Sequence, residues 1–396
     1  MTSTPILPAR QLLAQKAFDK LPVPVLKYGL DISTQTKPFD FAAIARSNAS
    51  EKIISRFETL ENGVILADLA SASARFPFVA QNWSTLLSLE NKFESFHMAN
   101  VKKTLVIIIP ADAQLSAPLP ISYASNAFEH IFIWAQKNSS VSLLHVEHDA
   151  VETTHTNYRS AAVEIFADEN ARVSYTSIQT LSPSVERISV KRSRVEKDAS
   201  VEWHWAEFGA HFVKSDVSSY LNGENASTKN VGVYFGNASQ VFDIDANVRH
   251  LAPHTHSELL ARGVLDDSSK NVYKGLIKMT KDAKGSAGTQ RADVLVLSPQ
   301  AEADPVPILE IEGDDIRCSH AATVSRLDAF KLFYLTSRGL DETTARSLYI
   351  HGFLDHLLSR FPTLNVISDS RMCVAKKLGS ASEDGTHPLH FAEVHV

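Results

Sequence analysis

Short apolar runs alternate with small polar corners along the middle of the chain, between about residues 101 and 325. The runs are rich in Val, Ile, Tyr, Phe and Trp, which favour β-strands. They cover 104–109, 142–145, 173–178, 200–207, 231–235, 241–248 and 293–297. Corners such as 138–140, 170–171, 225–227 and 237–239 are built from Asn, Ala and Ser, which suit tight turns. The pattern predicts a mainly β body of many short strands.

Two architectures fit this pattern. A sandwich or barrel is one choice, and a right-handed parallel β-helix with strands stacked coil on coil is the other. The recurring small corner residues favour the β-helix, because Ala, Ser and Asn can stack where the chain turns tightly.

The ends of the chain have a different texture. Residues 1–100 mix loops with helical periodicity, and apolar side chains recur every three or four positions over 11–21 and 80–98. Residues 326–396 also become helical. We therefore expect three regions: a helical or mixed region 1–100, a β-helix core 101–325 and a helical region 326–396.

Two helices are predicted in the last region. Asp328 is a candidate N-cap for a helix over 330–338 that ends before Gly339, and Asp341 is one for a helix over 341–359. The second helix has an apolar face formed by Ala345, Leu348, Tyr349, Phe353, Leu357 and Leu358. This face either packs on the β body or contributes to a surface for a partner. We also expect a short helix over 371–378 and a loose segment or edge strand over 387–396.

Composition narrows the function classes. The formal net charge is −6, so no overall basic field favours nucleic acid or anionic membranes. No basic segment followed by an apolar segment opens the chain, and no run of 18 apolar residues occurs. Two cysteines do not make a disulfide framework. We expect a cytoplasmic protein.

Common catalytic motifs are absent from the sequence: Walker A, G-x-G-x-x-G, G-x-S-x-G and H-E-x-x-H. Nucleotide hydrolysis and dinucleotide redox chemistry are therefore not expected. The pair His254 and His256 and the pair His145 and His148 are more typical of hydrogen-bonded structure than of metal ligation. The doublets 266–267 and 314–315 (Asp-Asp) are typical of turns.

One pair remains as candidate chemistry, Cys318 and His320. In a strand, side chains two residues apart point to the same face, so a thiol and an imidazole would stand side by side. They would suit a soft metal, or form a thiol with a base beside it. The alternative is a buried cysteine next to a hydrogen-bonded histidine. An iron–sulfur cubane takes four ligands, so Cys318 and the distant Cys373 do not enclose one, and such a site would be shared with a second polypeptide.

Three landmarks then match a known family. They are the segments 275–278 (GLIK), 318–323 (CSHAAT) and 333–339 (FYLTSRG), within a stretch from Val248 to Phe353. The stretch resembles the SufB/SufD family of iron–sulfur cluster assembly scaffolds, on its SufD side. SufB-like chains have a cysteine in the strand matching 290–294 and a glutamate where Ala321 stands, and both are missing here.

The resemblance implies a right-handed parallel β-helix that pairs edge to edge with SufB, while the ABC-type ATPase SufC docks on the C-terminal helices. On the predicted helix, Leu348, Tyr349, Phe353 and Leu357 are the candidate SufC contacts. Cys318 and His320 would supply part of a shared site, with His320 favouring the thiolate. This chain would be a non-catalytic scaffold that holds a cluster only transiently and binds no cofactor stably alone. A homodimer acting without SufB and a polysaccharide-cleaving β-solenoid enzyme are the alternatives.

Overall fold

A computed structural model of the protein describes residues 6–22, 24, 26, 34, 40–47, 57–60, 62–122, 127–148 and 158–379. The predicted segment 387–396 lies outside these residues. The helices are α1 (Ile6–Lys20), α2 (Phe41–Ser47), α3 (Leu69–Arg75), α4 (Pro77–Asn82), α5 (Lys92–Asn100), α6 (Ala329–Ser337), α7 (Glu342–Leu358) and α8 (Leu364–Lys377). The strands are β1 (Phe57–Thr59), β2 (Ile65–Asp68), β3 (Thr104–Ile109), β4 (Leu119–Ser122), β5 (Phe128–Ala135), β6 (Ser140–Glu147), β7 (Tyr158–Ala167), β8 (Arg172–Gln179), β9 (Glu186–Val195), β10 (Ser200–Glu207), β11 (Phe212–Leu221), β12 (Ser227–Gly236), β13 (Val241–His250), β14 (His256–Leu265), β15 (Lys270–Met279), β16 (Ala287–Val296), β17 (Glu302–Ile311) and β18 (Arg317–Arg326).

The strands form two sheets. The first sheet runs β1-β2-β3-β5-β7-β9-β11-β13-β15-β17, and the second runs β18-β16-β14-β12-β10-β8-β6-β4. From β3 onward each strand pairs in parallel with the strand two places along the chain, so every coil gives one strand to each sheet. The mainly β prediction is confirmed, and the architecture is a parallel β-solenoid rather than a sandwich or barrel.

Side chains alternate between the lumen of the solenoid and its outer faces. Lumen-facing residues such as Leu143, Tyr175 and Trp203 form the main apolar core. A second cluster fills the space between the N-terminal helices and the outer face of the first sheet. A third lies between the outer face of the second sheet and helices α7 and α8. The described helices therefore cover the outer faces of the two sheets. The C-terminal end of the solenoid is formed by its last two strands, β17 and β18.

The small polar corners stack as predicted. Asn138, Asn170, Asp198 and Asn225 all have left-handed φ angles, between 58° and 61°. Asn170 Nδ2 donates to Asn138 Oδ1 at 3.0 Å, and Asn225 Nδ2 donates to Asp198 Oδ1 at 3.0 Å. Asn and Asp tolerate this backbone region better than most residues, so the same corner repeats from coil to coil.

The predictions for the two terminal regions needed three corrections. The periodic segment 80–98 is two helices, α4 and α5, separated by a turn region, because Asn91 caps α5 by accepting from the N–H groups of Phe93 and Glu94. The predicted helix over 371–378 starts earlier, at Leu364. The N-terminal region also holds the hairpin β1–β2, which the sequence did not predict and which extends the first sheet antiparallel to β3.

Asp328 and Asp341 are the N-caps predicted for α6 and α7, and Gly339 follows α6 with a left-handed φ of 95°. Among the described residues, no helix combines the length and apolar character needed to span a bilayer.

Candidate functional site

The C-terminal end of the solenoid is an open coil made of β17 and β18, the terminal strands of the two sheets. In earlier coils the lumen-facing positions are buried, whereas here Ile311 is 47% exposed and Val324 is 48% exposed. Within the described residues the apolar lumen ends here without a cover, which is typical of a surface that another polypeptide closes.

Cys318 and His320 lie on β18, at this open end. In the register of the sheet, Cys318 is paired with Gly288 of β16 and His320 with Gln290. Gly288 and Gln290 are buried lumen-side positions, and paired residues of parallel strands point the same way. The prediction that the thiol and the imidazole share one face of a strand is therefore confirmed. Cys318 is half-buried and His320 is exposed.

Burial raises the pKa of the Cys318 thiol above its ordinary value of 9.0, and a hydrogen bond from the Ser319 backbone opposes this only in part. Since His320 is not among the causes of this shift, the expectation that it favours the thiolate stays a prediction. The raised pKa works against the thiolate, which is the form of cysteine that binds a metal.

The second cysteine belongs to a different part of the molecule. Cys373 is on α8 and packs in the cluster between the C-terminal helices and the outer face of the second sheet. Burial raises the pKa of its thiol to about 11. Cys373 therefore acts as a buried apolar side chain and does not join Cys318.

The other candidates are structural. His254, Asp267 and Asp315 occupy corners with left-handed φ angles, in agreement with turn roles. His145 lies in the lumen, where its Nδ1 is 2.8 Å from the Tyr175 hydroxyl. Within the part of the chain that the structure describes, no group of three or more His, Cys, Asp or Glu side chains is arranged to hold a metal ion.

The four predicted docking residues on α7 separate into two kinds. Leu348 is 53% exposed, and Tyr349 is partly buried beside Lys331, whose Nζ lies 5.5 Å from the ring centroid. Phe353 packs towards the second sheet with Arg262 over its ring, and Leu357 is only 3% exposed in that interface. The apolar face of α7 thus packs mainly on the β body, and Leu357 is corrected from a contact residue to a core residue.

The exposed aromatic surface lies instead on α6. Phe330 is 86% exposed, Phe333 is 70% exposed and Tyr334 is 58% exposed. Phe333 and Tyr334 follow Phe330 by three and four residues, so all three side chains lie along one surface of the helix that Asp328 caps. This spacing is visible in the sequence. We call Phe330, Phe333, Tyr334 and Tyr349 the aromatic patch.

Comparison with known proteins identifies the family. Residues 121–353 match the model of the SUF system FeS cluster assembly SufBD core domain, which is more than half of the chain. The chain belongs to the SufBD family. An iron–sulfur cluster assembly SufBD family protein of Staphylococcus saprophyticus is 28% identical over 375 residues, which cover 92% of this chain and 78% of the relative. Proteins of the same description from Staphylococcus haemolyticus and Staphylococcus aureus are each 27% identical over the same shares.

The match includes β18 and most of α7, so the open coil, Cys318 and His320 are part of the region that the family shares. Iron–sulfur cluster assembly is therefore the chemistry in which this thiol and imidazole are to be interpreted.

Proposed function

We propose that this SufBD family protein is the SufD-like scaffold subunit of a cytosolic SufB–SufC–SufD complex. Its open coil pairs with SufB, and Cys318 and His320 supply part of a shared site at which a cluster is built. SufC supplies ATP-driven movement, and the finished cluster leaves as product. The observation that carries the proposal is the half-buried thiol beside an exposed imidazole on an uncovered terminal strand.

The hydrogen-bonding direction of β18 supports pairing at this edge. The Arg317 N–H donates to the carbonyl of Ser286, just before β16, at 3.0 Å, and the N–H groups of successive strand residues point to opposite sides. The backbone N–H groups of Cys318, His320, Ala322, Val324 and Arg326 therefore point away from the sheet. Such an unpaired edge is a template for a strand from another chain.

The neighbouring edge is blocked. The N–H groups of Glu302, at the start of β17, and of Glu312, just after its end, point towards the β15 side, so the N–H groups of the odd-numbered positions point away from the sheet. Pro305 and Pro307 occupy two of these outward positions and have no N–H to donate. A partner strand would thus meet a continuous row of backbone N–H donors on β18 but an interrupted row on β17. This favours β18, next to Cys318, as the single docking edge.

The same geometry argues against a homodimer as the assembly form. Two copies related by a two-fold axis would pair their β18 strands antiparallel around the central residue Ala322. Cys318 of one copy would then face Arg326 of the other, and the two thiols would lie about 26 Å apart along the strands. In this register of full strand overlap, a second copy would place no metal-binding group opposite Cys318.

The aromatic patch supports a separate contact with SufC. A shallow groove lined by Phe330, Lys331, Tyr334, Leu335 and Tyr349 lies beside α6. In α6, no side chain is buried. Large exposed aromatic side chains around a groove are typical anchors of protein interfaces.

Co-expression with SufB and SufC, followed by size-exclusion chromatography with multi-angle light scattering, tests the proposal. The expected result is one complex that contains all three chains, with the chain alone eluting at lower mass. Elution of this chain as a homodimer, with SufB and SufC absent from its peak, would contradict it.

A further inference from the structure

The coil directly below the site has a glycine in each sheet, Gly275 on β15 and Gly288 on β16. Neither has a left-handed φ, so the backbone does not require glycine at these positions. Both are buried on the lumen side. The missing side chains are therefore needed for space.

Each space is filled from the opposite sheet. A Cβ on Gly288 would lie 2.8 Å from Met279 Cε, which reaches across the lumen from β15. A Cβ on Gly275 would overlap the side-chain oxygen of Gln290, which reaches across from β16. Met279 is fully buried and Gln290 is 4% exposed. We call Met279 and Gln290, with their two glycines, the lumen floor.

This exchange differs from the glycine contacts deeper in the solenoid. Beside Gly232 the space is filled by Trp205, and beside Gly263 by Tyr234, each from the adjacent strand of the same sheet. The lumen floor instead joins the two sheets, and it does so immediately beneath the open coil.

The register aligns the lumen floor with the two site residues. Gly288 lies under Cys318 and Gln290 lies under His320, each one strand spacing away, about 4.8 Å. The volume under the thiol is thus occupied by an apolar thioether side chain, whereas the imidazole has a carboxamide below it, which can both donate and accept.

We propose that Met279 and Gln290 are positioning residues of the cluster site: Met279 excludes water from beneath the Cys318 thiol, and Gln290 orients the His320 imidazole. Their role in cluster assembly rests on the function proposed above, but their effect on the thiol and the imidazole is a property of this chain alone. Removal of the Met279 side chain should therefore admit water beneath the thiol and make the thiol more accessible to reagents from solution.

Alkylation of Cys318 by iodoacetamide in the free protein, followed peptide by peptide with mass spectrometry at one fixed pH, tests the first half. Met279→Ala should raise the rate at neutral pH about threefold or more, and Met279→Leu should restore it. Leu221→Ala removes an equally buried lumen side chain from a distant coil and should leave the rate unchanged. An unchanged rate in Met279→Ala, or an equal increase in Leu221→Ala, would overturn the role of Met279.

For the second half, Gln290→Ala should shift the ¹⁵N signals of the His320 imidazole while the alkylation of Cys318 stays the same. Unchanged His320 signals would overturn the role of Gln290.

These measurements need no partner, so they separate the two proposals. Failure of the chain to assemble with SufB would contradict the proposed function. It would not contradict the effects of Met279 on Cys318 and of Gln290 on His320, which are measured on the chain alone.

Discussion

Replacement of Ala322 by proline should weaken SufB binding without unfolding the solenoid. Ala322 lies in the middle of β18, and its backbone N–H points away from β16. The proline therefore removes a donor that the pairing of β18 with β16 does not use. Proline is tolerated on an edge strand for this reason. A partner carbonyl would lose its hydrogen bond and remain unpaired in the interface. The lost bond and the unpaired group together cost about 2–4 kcal/mol, which corresponds to a Kd about 30- to 1000-fold higher.

The matched control is Ala303→Pro on β17. The backbone N–H of Ala303 also points away from the sheet, but the β17 edge already contains Pro305 and Pro307. A third proline there should therefore change the Kd for SufB less than about twofold. Binding is measured by biolayer interferometry with immobilised SufB, and thermal unfolding by circular dichroism checks both variants. Equal Kd values for Ala322→Pro and the unmodified chain, or an equal loss in Ala303→Pro, would refute the assignment of β18 as the docking edge.

Three further predictions concern the helices and the buried histidines. Phe333→Ser should weaken SufC binding at least about tenfold, whereas Leu12→Ser, an exposed leucine on α1, should not; equal Kd values in a titration would contradict this. Asp341→Ala removes the cap that accepts from Thr344 N at 2.9 Å and should lower the free energy of unfolding in urea by about 1 kcal/mol, and no change would contradict it. Burial holds the pKa of His97 well below 6.5, so the unfolded chain takes up a proton that the folded chain excludes. Stability should therefore fall below pH 6.5, by about 1.4 kcal/mol per pH unit for this group; His97→Gln should make the decline shallower, and an unchanged slope would count against it.

The strands were predictable because local chemistry determines them. The runs over 104–109 and 200–207 agree with β3 and β10, since β-branched and aromatic side chains pack on both faces of a solenoid strand. The corners were predictable for a similar reason, because Asn and Asp accept a left-handed backbone that few other residues adopt.

The N-terminal helices were less predictable because a distant contact shapes them. Glu164 of β7 accepts hydrogen bonds from the backbone N–H groups of Ser84 at 2.7 Å and Leu86 at 2.9 Å. These bonds fix the turn region that separates α4 from α5. No local periodicity encodes a partner almost 80 positions away in the chain.

The site was predictable only in part. The two-residue spacing of Cys318 and His320 was sufficient to place them on one face. The burial that raises the pKa of the thiol, the outward direction of the β18 donors and the lumen floor all depend on the register between neighbouring coils, which the sequence does not reveal by itself. The aromatic patch was missed because α7 has the longer apolar face, and most of that face is consumed by packing on the second sheet.

Iron and acid-labile sulfide, measured in the purified SufB–SufC–SufD complex, test the shared-site claim most directly. Cys318→Ala should leave the complex assembled and reduce the iron and sulfide contents about tenfold or more, because the interface with SufB loses the thiol that this chain supplies. Cys373→Ala is the matched control and should leave both contents unchanged, because its thiol packs between α8 and the second sheet. Full iron and sulfide contents in the Cys318→Ala complex would contradict a site built on this strand.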